Sequence, residues 1–110
     1  MNFILRWKHF GYSNMHMGTV EGDFSIESFL DKLKNLHPAH IHLAPFMIVA
    51  GDHATNDMSG EDDDSWKSIL EKEGYSVKCT LKGLGEIQAV RDIFIRHTRA
   101  GLDRLSEIQA

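Results

Sequence analysis

Leu43-Ala44-Pro45-Phe46-Met47-Ile48-Val49-Ala50-Gly51-Asp52-His53 is the stretch that decides how this chain folds. An apolar run from Leu43 to Ala50 stops at Gly51-Asp52-His53, and a polar, acidic stretch reaches Asp64. Buried strands of parallel α/β sheets end in this way, delivering a polar side chain to a site at their carboxyl end. Upstream, Asn14-Met15-His16-Met17-Gly18-Thr19-Val20 has the same design and leads into Glu21-Gly22. Two strands, over residues 14–20 and 40–49, are therefore expected to end on two metal-competent side chains, Glu21 and His53.

The segments around these strands read as helices. Ser25 is placed to cap a helix whose apolar positions are Ile26, Phe29, Leu30, Leu33 and Leu36, and His37-Pro38 stops it. Ser65 is placed to cap a second helix over residues 66–73, which Gly74 ends. A third strand is expected over residues 75–81. After the Gly83-Leu84-Gly85 turn a last helix is expected over residues 86–100, with Ile87, Val90, Ile93, Phe94 and His97 toward the core, and residues 102–109 are expected to add another turn or two. Residues 2–10 have the spacing of a short amphipathic helix. Pro45 inside a strand predicts a bend there, and residues 51–64 read as a long loop without periodicity. The expected fold is α/β: a three-layer parallel sheet of about three strands with flanking helices, in a single domain over residues 1–110.

Composition narrows the function classes. With 42% hydrophobic and 25% charged residues, the 110-residue chain is ordinary globular material. A net charge of −4 gives no basic footprint for nucleic acid. Cys79 is the single cysteine, so no internal disulfide forms, which fits a reducing cytoplasm. No stretch approaches the ~20 apolar residues of a membrane span. No nucleic-acid or membrane partner is expected.

Several side chains compete for a chemical role. His53, at a strand end, has the chemistry to bind and exchange a first-row divalent metal; the plainer reading is a histidine that holds its own turn. Glu21 could ligate a metal or accept a proton, or simply sit favourably near a helix start. His40 and His42, two apart on a strand, share a face, but at the strand's beginning they read as surface residues. Glu61-Asp62-Asp63-Asp64 reads as a solvated loop before a helix rather than a calcium site. Met15, Met17 and Met47 read as core, and Met58 as a loop residue able to touch a flat ligand. Gly83-Leu84-Gly85-Glu86 lacks the features of a phosphate loop. No organic cofactor is expected.

Gly18-Thr19-Val20-Glu21-Gly22, Pro45 through Trp66, and Leu81-Lys82-Gly83-Leu84-Gly85-Glu86 together resemble the anaerobic sirohydrochlorin cobaltochelatases, the class II chelatases that insert cobalt(II) into a cobalamin precursor. The likeness runs from about Gly11 to His97, whereas a full enzyme of that family is more than twice as long. It implies the C-terminal part of a two-domain α/β enzyme that holds a tetrapyrrole in a cleft. It also implies that Glu21 and His53 match two of the family's three metal ligands, with cobalt(II) as substrate metal and iron or nickel as alternatives. The family's first ligand, a histidine on an earlier strand, has no counterpart here. In the family that strand lies between those ending at Glu21 and His53. Its loss leaves the two to pair directly, their ends within about 5 Å, or another subunit to fill the gap. Three functions stay open: a chelatase completed by a homodimer or a separate front half, a non-catalytic metal- or tetrapyrrole-binding module, and an inactive remnant.

Overall fold

The computed structural model describes residues 11, 13–20 and 24–109. Glu21 and the expected helix over residues 2–10 lie outside the described residues. Helix α1 (Ile26–Leu36) starts at Ser25, as its sequence predicts, although the Ser25 side chain makes no capping hydrogen bond. It ends at His37, which adopts the left-handed conformation (φ 46°) and donates its backbone N–H to the Leu33 carbonyl at 2.9 Å. Pro38 then prevents continuation.

Strands β1 (His40–Leu43) and β2 (Ser76–Cys79) pair in parallel, with His40 opposite Ser76 and Leu43 opposite Cys79. Between them lies helix α2 (Trp66–Lys72), which Glu73 caps before Gly74 turns the chain at φ 95°. That angle suits glycine, which lacks the Cβ that would clash. The period of two divides the sheet cleanly. Ile41, Leu43 and Val77 pack on a core of Ile26 and Leu33 from α1 and Leu70 from α2, with Phe29, Leu30, Trp66, Ile69 and Tyr75 around it. On the opposite face His40, His42, Ser76 and Lys78 are exposed. Among the described residues the sheet is thus covered on one face only.

The fold is mixed helix and strand, as expected, with two strands in the described sheet. The expected first strand does not form: residues 15–19 carry no strand pairing, and Thr19 instead donates its N–H to the Phe24 carbonyl at 2.8 Å. The expected strand over residues 40–49 stops at Leu43, two residues before Pro45. Proline lacks the N–H that the ladder requires. The chain beyond keeps company with the segment after β2 through isolated bonds, Leu84 N–H to Met47 O at 2.7 Å and Gly85 N–H to Ile48 O at 3.0 Å.

The last helix departs furthest from expectation. Helix α3 runs Gln88–Gln109, taking in the further turns expected over residues 102–109, but buries none of its residues. Ile93 and Phe94, expected in the core, are 42% and 54% exposed, and His97 is exposed too. Along with Ile87, Leu102, Leu105 and Ile108 they leave much apolar surface uncovered. The radius of gyration is 18.0 Å, against about 13 Å for a compact chain of this length. Periodicity revealed an amphipathic helix but not whether its apolar face would find cover. Leu36, likewise expected to pack, is 54% exposed at the end of α1.

Candidate functional site

The chain between Pro45 and Ser65 builds the surroundings of His53. Residues 51–64, read as a loop without periodicity, contain a π-helical turn over His53–Met58. In a π-turn each N–H reaches a carbonyl five residues back, and Ser59 N–H meets Ala54 O in this way at 3.1 Å. Such turns occur mostly as single insertions and frequently at functional sites. Two residues anchor it: Ala54 is fully buried and Met58 is 7% exposed. Met58, expected to face a ligand from the loop, is therefore packed inside, while Met15, expected inside, is 42% exposed.

The outward side carries the chemistry. His53 stands with 68% of its side chain exposed, and its Nδ1 lies 2.6 Å from Oδ2 of Asp57, itself 45% exposed. His53 and Asp57 are four residues apart, as are Ala54 and Met58, so the buried pair fixes the turn that presents the exposed pair. Nothing in the sequence pattern singles out Asp57, because the polar stretch around it carries no helical periodicity.

Three contacts hold this loop. Ser65 is fully buried; its hydroxyl donates to Gly60 O at 2.7 Å and accepts the N–H of Ser68 at 3.1 Å. One side chain thereby caps α2, as predicted, and ties the end of the His53 loop to it. Gly83 is buried against the other side of the loop. A Cβ there would collide with the Ile48 carbonyl and come within 2.8 Å of Val49 Cα. The Gly83-Leu84-Gly85 turn thus packs beside the strand-end segment rather than binding phosphate, and Glu86 accepts the Gly83 N–H at 2.9 Å. Third, a Cβ on Gly18 would come within 2.8 Å of the Trp66 ring. That contact brings the segment leading to Glu21 onto α2, directly after Ser65.

The remaining candidates fall elsewhere. His40 and His42 line an open depression with Ile41, Ser76 and Lys78, and His53 is not part of it. His42 Nε2 is hydrogen-bonded to Thr80 Oγ1 at 2.6 Å. His16 is half-buried, its ring 5.2 Å from that of Phe29. Glu61 to Asp64 are exposed ahead of α2, where negative charge favours a helix start. Among the described residues no three His, Cys, Asp or Glu side chains converge on a metal position, and no helix is long and apolar enough to cross a membrane.

Known proteins resemble this chain in sequence. The sirohydrochlorin cobaltochelatase of Salmonella typhimurium is 38% identical over 91 residues, which are 83% of this chain and 34% of that enzyme. Sirohydrochlorin cobaltochelatase CbiKC of Nitratidesulfovibrio vulgaris is 34% identical over 94 residues, 86% of this chain and 33% of that one. The chain spans about one third of the length of either relative. The family model described as cobalt chelatase (CbiK) matches residues 2–103. With nearly its whole length inside that match, and His53 set on an anchored turn within it, the chain belongs to the cobalt chelatase (CbiK) family.

Proposed function

We propose that this chain is the C-terminal part of a sirohydrochlorin cobaltochelatase, inserting cobalt(II) into the tetrapyrrole once the rest of the site is supplied. The observation that carries the reading is His53, exposed on a turn whose other side is buried, within a chain that matches cobaltochelatases over most of its length. Cobalt is the substrate metal, in line with the names of both relatives. His53 and Glu21 are its ligands from this chain, and no organic cofactor takes part.

Insertion of a divalent metal into a free-base macrocycle releases two pyrrole protons. His53 and Glu21 are the groups able to accept them as the metal leaves their lone pairs for those of the ring. Two ligands hold a metal weakly enough to release it, and a third, His16 or a histidine from the rest of the site, joins them in this reading. The uncovered apolar residues of α3 and the open face of the sheet favour a completed assembly over an inert remnant. The rest of the site comes from a front segment or from a second copy, and neither nucleic acid nor membrane has a part in it.

The test is anaerobic spectrophotometry of sirohydrochlorin with cobalt(II). The chain is assayed alone and with a separately expressed segment equivalent to the relatives' N-terminal two thirds. Insertion faster than the spontaneous rate, abolished by His53→Ala, is expected in at least one arm; activity of the chain alone indicates the homodimer. Folded protein that accelerates insertion in neither arm overturns the proposal.

A further inference from the structure

A neutral imidazole has one N–H and one lone pair, and the hydrogen bond made by one nitrogen decides which nitrogen keeps the lone pair. An ionised carboxylate only accepts. With Asp57 Oδ2 at 2.6 Å from His53 Nδ1, the proton of the pair belongs on Nδ1. The ring's lone pair is then on Nε2, the nitrogen across the ring from Asp57. Metal-binding histidines are oriented by just such a carboxylate or carbonyl on their second nitrogen, which also raises the basicity of the first.

Resting on the chelatase reading, we infer that Asp57 is the positioning residue for His53, fixing the Nδ1–H tautomer so that Nε2 is the atom that takes and releases cobalt(II). The backbone supports this role. Ala54 and Met58, buried at 0% and 7% exposure, hold the turn from below. Gly51 O accepts the Thr55 N–H at 3.0 Å and Asn56 O the Gly60 N–H at 3.1 Å, bracketing it at both ends. A fixed turn holds the two exposed side chains in register without either being buried. Asp57 acts through His53 and is not itself a ligand in this arrangement.

The tautomer can be read without turnover. Long-range proton–nitrogen correlation spectra of the full chain, without metal and at a pH where imidazole is neutral, distinguish Nδ1–H from Nε2–H. Wild-type His53 is expected as Nδ1–H, Asp57→Ala to release it toward the Nε2–H form, and Asp57→Glu to restore it in part. Cobalt(II) alone, titrated by its d–d absorption, is expected to bind Asp57→Ala about 10- to 100-fold more weakly than wild type, with partial rescue by Asp57→Glu. Circular dichroism and urea unfolding check that the variants fold. Nε2–H in the wild type, a tautomer indifferent to Asp57→Ala, or a tautomer change without loss of cobalt affinity each overturns the inference. If the tautomer follows Asp57 but wild type binds no cobalt even with the segment equivalent to the relatives' N-terminal two thirds present, the chelatase reading falls while the assignment of the His53 tautomer to Asp57 stands.

Discussion

Removing the Ser65 hydroxyl tests how the His53 loop is held. Ser65 is fully buried, and its Oγ makes two bonds to backbone, donating to Gly60 O at 2.7 Å and accepting from Ser68 N–H at 3.1 Å; Ser68 Oγ lies 2.9 Å away. Ser65→Ala deletes these bonds and changes little else in volume. Loss of a serine cap costs about 0.5–2 kcal/mol. Leaving the half-buried Gly60 carbonyl without its donor adds about 1–3 kcal/mol if no water replaces it. Because one hydroxyl serves both ends, the two losses combine to about 2–4 kcal/mol. That is a large share of the ~5–15 kcal/mol by which most domains are stable. With a urea slope of about 1–3 kcal/mol/M, the unfolding midpoint falls by about 1–2 M. Amide exchange at Gly60 and Ser68 is expected to accelerate before exchange at β1 and β2. A loss under about 0.5 kcal/mol, with exchange at Gly60 unchanged, refutes the claim that Ser65 joins loop to helix.

Gly83→Ala places a methyl against the Ile48 carbonyl and Val49 Cα, backbone that cannot move aside cheaply. About 1–3 kcal/mol of destabilisation is expected in urea unfolding, with faster amide exchange at Leu84 and Gly85. Gly101→Ala is expected to act oppositely. Gly101 lies inside α3 with nothing within 4 Å of a Cβ, so alanine stabilises by about 0.5–1 kcal/mol, read as a higher Tm. Burial pushes the Cys79 thiol above its ordinary value, with Glu71 adding to the rise and Lys67 opposing it. The folded state therefore disfavours the thiolate. Its contribution to stability is complete below the pKa of the unfolded thiol and declines as pH rises through the raised, folded value. Alkylation of Cys79 at neutral pH is expected to be slower than in urea-unfolded protein, and Cys79→Ser should flatten the alkaline loss of stability.

The α/β character, the start of α1 at Ser25 and of α2 at Ser65, the turn at Gly74 and the role of His53 as candidate were all legible in the residues. They depend on local rules: capping by short hydroxyls, the period of two along strands, glycine at a positive φ, and a polar residue closing an apolar run. Pro45 signalled trouble in its strand, and β1 stops before it. What local rules cannot supply is the partner of each surface. Residues 14–20 have a strand's composition but no strand pairing, because a strand exists only through a neighbour's hydrogen bonds. The apolar positions of α3 predicted a buried face, yet burial needs an opposing surface, and no residue of α3 is buried. Asp57 acquired a role only when the π-turn brought its carboxylate to His53, since the turn follows from burying Ala54 and Met58 and not from any local helical pattern. The sequence alone nominated His53 and Glu21 as metal-competent side chains; the tertiary structure decided how His53 is held outward and what holds it, because orientation comes from packing between segments distant along the chain.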